Sequence, residues 1–146
     1  MTATKGLLGV NNDPKHQLII TFITYHLNHH FQTTKKYNKL IATPELHIDS
    51  FIPDVYVWDY VDNKHNEPII IFEVCWKKKK DDDVKKVQKL MKDYPSIKEG
   101  FIITIEDHTF YRVRRKVKGN LPSNPFRDTV IQSVKFNMKN TLKLLS

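Results

Sequence analysis

Hydrophobic residues in the first 115 positions alternate between helical and strand spacing, and their order predicts the elements of the fold. Asp13 followed by Pro14 is typical of the beginning of a helix, and apolar residues then recur every three or four positions for about four turns. Residues 82–94 have the same spacing and predict another helix. Strands are predicted from the apolar or alternating runs KLIATPELHID, PDVYVWDYV, IIIFEVCW and GFIITIEDHTFYRVRR, the last divided into a hairpin by a polar turn.

The C-terminal stretch NPFRDTVIQSVKFNMKNTLKLL predicts a further helix. Asn124 and Pro125 fit the positions at which helices begin, and hydrophobic residues follow about every four positions. These residues are Phe126, Val130, Val134, Met138, Leu142 and Leu145. We therefore expect an amphipathic helix over about 124–145. Strands that lie between helices able to cover both faces of one sheet predict an α/β or α+β three-layer sandwich, folded as a single domain over residues 1–146.

Composition adds a strong positive charge to this picture. The chain of 146 residues has a net charge of +8, which favours a polyanion partner, although such a charge can also serve solubility alone. Cys75 is the single cysteine, so no intramolecular disulfide forms and a reduced, cytoplasmic location is expected. No apolar run is long enough to span a bilayer, and the first residues lack the pattern of a signal peptide.

Two acidic residues stand at the ends of strands that are otherwise apolar. Asp54 precedes the run VYVW, Glu73 follows the run IIIF, and a turn of about seven residues joins the two strands. In an antiparallel hairpin both carboxylates lie at the same edge of the sheet, where they repel each other and are costly to bury. A divalent cation relieves both problems, because Mg²⁺ is usually held by one or two carboxylates, waters and substrate phosphate oxygens. Acids, a metal and basic surroundings suit hydrolysis of phosphodiesters.

The stretch PDVYVWDYVDNKHNEPIIIFEVCW resembles the central motif of the PD-(D/E)XK nuclease superfamily. The order of elements on both sides is similar to its small restriction endonucleases, over a core of about residues 14–115. The resemblance implies a restriction-endonuclease-like fold with a central mixed sheet flanked by helices. It also implies a divalent-metal-dependent endonuclease that uses Mg²⁺ or Mn²⁺, with Asp54, Glu73 and Val74 as metal ligands and DNA, ahead of RNA, as the substrate.

One position departs from the superfamily pattern. The lysine expected two residues after Glu73 is replaced by Cys75, and Lys77, the next residue of suitable parity, lies about 13 Å from Glu73 along a straight strand. The alternative to an active enzyme is therefore a degenerate nuclease-fold module, which binds nucleic acid without cutting it or serves as a subunit of a larger complex.

In the resembled subgroup the catalytic lysine often lies on the following helix, in a D-x-x-x-K pattern. Asp82 with Lys86 fits this pattern, and Asp81 with Lys85 is the neighbouring choice. We therefore expect Lys86 to supply the missing cation, with Lys85 as the second candidate and Lys77 as the third. His16, at the start of the first helix, is a minor candidate for a polar group that this helix presents to the site.

Further basic residues favour contacts with nucleic acid. Lys77, Lys78 and Lys79 follow the third strand, and Arg112 and Arg114 alternate along the last strand. Both groups could contact phosphates. The alternative interpretations are a solvated helix start for the lysines and protection of a sheet edge for the arginines. A homodimer stays open as an assembly.

Overall fold

The computed structural model describes residues 13–44, 53–62 and 67–145. Its elements are α1 (Pro14–Thr33), β1 (Leu40–Pro44), β2 (Val55–Asp59), β3 (Ile70–Cys75), α2 (Lys80–Asp93), β4 (Glu99–Thr104), β5 (Thr109–Arg114), β6 (Phe126–Arg127), β7 (Val130–Ile131) and β8 (Phe136–Asn137). Strands β1 to β6 form one sheet in that order, and β7 pairs with β8 in a separate hairpin. Neighbouring strands of the large sheet are antiparallel except β3 and β4, which α2 connects. The described chain is therefore an α+β fold with a mixed sheet flanked by helices, which agrees with the predicted class, and the sixth strand, β6, lies in a segment that the sequence predicted as helical.

β3 carries the core of the sheet, because all six of its residues are buried. Its side chains alternate between the two faces. Phe72 and Val74 belong to the hydrophobic cluster that includes α1, whereas Ile71 and Cys75 belong to the cluster that includes α2. Glu73 has the parity of the second pair and faces α2. A helix thus covers each face of β3, an arrangement compatible with a three-layer sandwich.

α1 begins where the sequence predicts. Asp13 Oδ1 accepts a hydrogen bond from the main-chain N–H of Lys15 at 2.8 Å, and Pro14 follows as the first helical residue. The residues that α1 buries are His16, Ile19, Ile20, Ile23, Leu27 and Phe31. Asn28 joins α1 to β1, since its side chain donates to the carbonyl of Ala42 at 2.9 Å and accepts from the N–H of Ala42 at 2.7 Å. No helix of the described residues, α1 included, is long and apolar enough to cross a bilayer.

α2 packs against the other face with a close approach at Gly100 on β4. A Cβ atom added to Gly100 would lie nearer to Cγ1 of Val87 than the 3.0 Å limit that real Cβ contacts essentially never cross. The far end of α2 is held by Arg115, which donates hydrogen bonds to the main-chain carbonyls of Met91 at 2.7 Å and Tyr94 at 3.2 Å. These contacts fix α2 on the sheet, and its first turns reach the edge at which β3 ends.

The predicted C-terminal helix over 124–145 is wrong. This segment instead forms β6, the β7–β8 hairpin and short 3₁₀ turns. Lys135 has a left-handed φ of 52°, a conformation that a right-handed helix does not contain. Asp128 accepts a hydrogen bond from the N–H of Val130 at 3.0 Å, which closes a turn where the helix was expected.

A buried carboxylate explains why the chain bends there. Glu99 on β4 is 2% exposed and pairs with the guanidinium of Arg112 at 3.0 Å. It also accepts hydrogen bonds from the N–H groups of Gln132 at 3.2 Å and Ser133 at 2.9 Å. These main-chain donors satisfy the carboxylate and direct the segment across the sheet. The hydrophobic residues still reach the core on the α1 face: Ile131, Val134, Met138 and Leu142 are buried there.

Candidate active site

The structure brings Asp54 and Glu73 to the same edge of the sheet. The pairing of Val55 with Phe72 and of Tyr56 with Ile71 continues by one position to place Asp54 opposite Glu73. Asp54 Oδ2 accepts a hydrogen bond from the main-chain N–H of the next β3 residue, Val74, at 2.7 Å. This bond replaces a sheet hydrogen bond at the point where β2 begins, and it holds the Asp54 carboxylate beside β3.

Glu73 is a charged side chain in an environment that disfavours its charge. Its side chain is 3% exposed, and Oε1 has no hydrogen-bond partner among the described residues. Burial raises the pKa of Glu73 well above its usual range, and the neighbouring carboxylate of Asp54 raises it further. A buried acid that lacks a partner on one oxygen is the kind of group that a cation would satisfy.

Lys86 is the lysine that the structure places at this carboxylate. Its Nζ lies 3.8 Å from Glu73 Oε2, and its side chain is 39% exposed. Its positive charge opposes the rise in the pKa of Glu73. The ammonium group of Lys77 pairs with a different acid, since its Nζ lies 3.3 Å from Asp107. Lys85, the second sequence candidate, is exposed. The order of preference drawn from the helical pattern therefore agrees with the position of Lys86.

His16 reaches the same site from α1. Its Nε2 lies 3.3 Å from Asp54 Oδ2, and its side chain is 3% exposed. Both helices therefore contribute to the site, α1 with an imidazole from its first turn and α2 with an ammonium group from its second turn. His16 is only a minor candidate from the sequence, because a lone histidine on a mostly apolar helix is ambiguous without the fold.

Asp83 is the site residue that the sequence analysis missed. The D-x-x-x-K pattern singled out Asp82, which is exposed, whereas Asp83 is half-buried and lies near the other site residues. Burial raises the pKa of Asp83, with Lys86 acting in the opposite direction. Burial, and then the charge of Asp83, raise the pKa of the Cys75 thiol. A spacing of three residues between Asp83 and Lys86, on one helical face, was the available signal.

The arginines of β5 do not belong to this site. Arg112 is 9% exposed and pairs with Glu99 at 3.0 Å and with Asp128 at 3.3 Å. The prediction that Arg112 belongs to a nucleic-acid-binding surface is corrected, since its guanidinium is buried and paired with acids of the protein. Arg114 is exposed but has the parity of Arg112, and both therefore point from the sheet face opposite to Glu73.

The lysines that follow β3 have exposed side chains. Lys77, Lys78 and Lys79 form an exposed 3₁₀ turn between β3 and α2, at the sheet edge that carries the carboxylates. Lys77 is held there because its main-chain N–H donates to the Glu106 carboxylate at 2.8 Å. Their positive charge lies where a polyanion would pass the candidate site.

The donor set fits a hard cation with few protein ligands. The described residues contain no group of three or more His, Cys, Asp or Glu side chains that could hold a metal ion. Asp54 and Glu73 would instead supply two carboxylates, and Val74 can contribute only through its main-chain carbonyl. The N–H and C=O of one strand residue point to the same side, so this carbonyl faces the side of β3 on which Asp54 lies. Two carboxylates with waters and substrate oxygens are sufficient for Mg²⁺.

In comparisons with known proteins, no protein-family model matches the chain, and no curated protein matches its sequence. The functional interpretation therefore depends on the residues of the site and on their geometry.

Proposed function

We propose that this protein is a divalent-metal-dependent nuclease that hydrolyses phosphodiester bonds of nucleic acid, with DNA as the expected substrate and the cytoplasm as the expected location. The observation that supports this most is the buried Glu73 carboxylate opposite Asp54. One of its oxygens lacks a hydrogen-bond partner among the described residues, and Lys86 Nζ lies 3.8 Å from the other. The resemblance to the PD-(D/E)XK superfamily remains an expectation that is consistent with this site.

Each residue of the site would have a role that its chemistry suggests. Asp54, Glu73 and the Val74 carbonyl would hold Mg²⁺ or Mn²⁺, whose role when bound is to polarise the phosphate and lower the pKa of an attacking water. Lys86 supplies a positive charge beside Glu73, where negative charge grows on the scissile phosphate during hydrolysis. His16 contacts Asp54 and orients that carboxylate from the other side.

The experiment that tests this proposal is a cleavage assay with several substrates. Plasmid, linear duplex, single-stranded DNA and RNA are incubated with the protein in Mg²⁺, Mn²⁺ or EDTA. We expect cleavage that requires the metal, a loss of orders of magnitude in Glu73→Gln and in Lys86→Ala, and full activity in Lys89→Ala. Lys89 is a matched control because it lies on α2 but pairs with Asp93 at 2.9 Å. Equal activity in Lys86→Ala and wild type would contradict the proposed role of Lys86.

A second candidate function is a module that binds nucleic acid without cutting it. It is favoured by Cys75, which occupies the motif-lysine position, is 5% exposed and cannot supply a cation. Burial, followed by the charge of Asp83, raises the pKa of this thiol, so it also does not provide a thiolate nucleophile. Metal-independent binding together with the absence of cleavage of any substrate in Mg²⁺ or Mn²⁺ would favour this function over the enzyme.

A further inference from the structure

A cleft lies at the same end of the sheet as the candidate active site, on the face that α1 covers. It has a volume of about 630 Å³, within the range of about 300–1,000 Å³ that small-molecule sites occupy. Its walls come from the first turns of α1, from the residue after β3, from the turn between β4 and β5, and from the C-terminal segment. None of the proposed metal ligands lines it, so the cleft is a separate feature that shares elements with the site.

The cleft and the carboxylates are close along two elements. Trp76, which lines the cleft, follows Glu73 by three residues of extended chain, or about 10 Å. On α1, Lys15 and Ile19 line the cleft, and they are the helical neighbours of His16, which contacts Asp54. The cleft lies on the α1 face at this end of the sheet, whereas Glu73 faces α2, and the contact between His16 and Asp54 lies between them. A strand of nucleic acid with its scissile phosphate at the carboxylates would therefore have to pass over this end of the sheet to place a neighbouring nucleotide at the cleft.

The lining combines an aromatic, apolar interior with polar groups. Leu18, Ile19 and Ile105 form apolar walls next to the half-buried indole of Trp76. The polar lining residues include Lys15, Glu106 and His108. Aromatic rings stack on nucleobases with a contribution of about 1–3 kcal/mol per base, and carboxylates accept hydrogen bonds from base N–H groups.

The acidic residues of the cleft argue against a phosphate as its occupant. Asp107 pairs with Lys77 at 3.3 Å and accepts a hydrogen bond from the N–H of Thr109 at 3.2 Å, contacts that hold its carboxylate in place at the cleft. Glu106 accepts the N–H of Lys77 with both oxygens, at 2.8 and 3.1 Å. Each carboxylate keeps lone pairs that can accept a donor, whereas a phosphate would be repelled. The exposed lysines of the adjacent 3₁₀ turn are better placed for the phosphates.

We propose that this cleft binds an unpaired nucleobase stacked on Trp76, so that the substrate is a single strand or a base extruded from a duplex. This inference rests on the proposed function, and it names the substrate class of the same site. In a duplex each base is stacked and paired in the interior and cannot enter a cleft whose walls are side chains. A chain that cut an intact duplex by backbone contacts alone would have no use for an apolar, aromatic cleft at this position.

The test uses tryptophan fluorescence, because it reports binding at the cleft without any cleavage. The chain has two tryptophans, so Trp58→Phe leaves Trp76 as the only one. This variant is titrated with a single-stranded DNA oligonucleotide in EDTA, and binding is followed in parallel by the anisotropy of a label on the oligonucleotide. The same strand with abasic sites keeps its phosphates but lacks the bases at those sites. The same sequence as a duplex has its bases paired and unavailable.

We expect the base-bearing single strand to quench Trp76 fluorescence by at least half, with the abasic strand and the duplex causing little change. Trp76→Phe, which retains Trp58 alone, should bind the single strand without quenching. Trp76→Ala should weaken single-strand affinity about 5- to 100-fold, and Trp76→Phe should restore most of it. The matched control Leu121→Ala, exposed on the loop after β5, should bind normally.

Two results would overturn the inference, and they are distinguishable from failure of the proposed function. If anisotropy shows that single strands bind while the fluorescence of Trp76 does not change, the cleft is empty in the complex. Equal quenching by the abasic strand would show that no base enters it. If no nucleic acid binds at all, both the base site and the nuclease function are refuted. If the base-dependent quenching occurs but no metal supports cleavage, the base site stands and the catalytic function does not.

Discussion

Gly100→Ala tests whether the close approach of α2 to β4 positions the candidate site. The added methyl would overlap Cγ1 of Val87, while its distances of 3.5 Å to Ile71 and 3.7 Å to Met91 are ordinary contacts. Val87 is β-branched and confined to essentially one rotamer in a helix, so it cannot rotate away and α2 must move. One extra carbon in a packed core costs about 1–3 kcal/mol. At this chain length we expect the melting temperature to fall by about 3–10 °C.

A double-mutant cycle isolates the cause of this loss. Val87→Ala removes the obstructing methyl groups, so Gly100→Ala should cost less in the Val87→Ala background than in wild type, with a coupling of about 0.5–3 kcal/mol. Gly119→Ala is the matched control. Gly119 has a φ of +82° and nothing within 4 Å of an added Cβ, so its loss of about 1–2 kcal/mol comes from backbone strain and should be the same in both backgrounds.

The same cycle connects packing with function. A shift of α2 would move Lys86 away from Glu73, so Gly100→Ala should lower metal-dependent cleavage more than Gly119→Ala, measured well below both melting temperatures. The measurements are thermal unfolding by circular dichroism and initial cleavage rates. The reasoning is refuted if Gly100→Ala lowers the free energy of unfolding equally in wild type and in Val87→Ala, or if it leaves the melting temperature unchanged.

Three further predictions follow from the charged residues. Because burial and Asp54 hold the pKa of Glu73 above its usual range, the folded protein keeps a proton that the unfolded chain has lost. Its stability should therefore fall as the pH rises from the unfolded pKa through the folded one. Glu73→Gln should reduce this fall and leave the part that the raised pKa of Asp83 contributes, which thermal melts between pH 4 and pH 9 in EDTA would detect, and equal slopes for both proteins would contradict it. Arg115→Ala should lower the free energy of unfolding in urea by about 2–4 kcal/mol, since it breaks charged hydrogen bonds to the end of α2, and Arg115→Lys should recover little. Lys78→Ala should reduce the slope of log affinity against log salt by about 0.7–0.9, and an unchanged slope would remove this lysine from the phosphate-binding surface.

The position of Asp54 and Glu73 at one edge of the sheet was predicted from the sequence because this part of the fold depends on local patterns. Continuous and alternating apolar runs identified β2 and β3, and the short connection between them made an antiparallel hairpin that brings Asp54 and Glu73 together. Helical spacing likewise placed Lys86 within the first two turns of α2. The choice of Asp82 over Asp83 failed because the exact angle of a helix against a sheet is set by packing, here at Gly100, and not by the spacing of charges.

The C-terminal segment could not be predicted from local patterns. A hydrophobic residue every four positions fits a helix, but it also fits a chain whose short strands and turns each direct one side chain inward. Ile131 and Val134 reach the core in this way. The determining contacts are distant in sequence, because Glu99 accepts N–H groups of Gln132 and Ser133 from 33 and 34 residues away. No pattern within the segment indicates that its main-chain N–H groups donate hydrogen bonds to the buried carboxylate of Glu99.

The central claim is that Asp54 and Glu73 form a cation site that supports phosphodiester hydrolysis. The most direct test is the single-turnover cleavage of one labelled single-stranded DNA oligonucleotide by wild type, Asp54→Asn and Asp62→Asn, purified side by side. Asp62 is a suitable control because it is exposed and pairs only with the surface residue Lys39 among the ion pairs of the described residues. We predict cleavage in Mg²⁺ or Mn²⁺ by wild type and Asp62→Asn, abolished by EDTA and by Asp54→Asn, with all three proteins melting within a few degrees of one another. Cleavage that persists in Asp54→Asn, or is indifferent to EDTA, would contradict the claim.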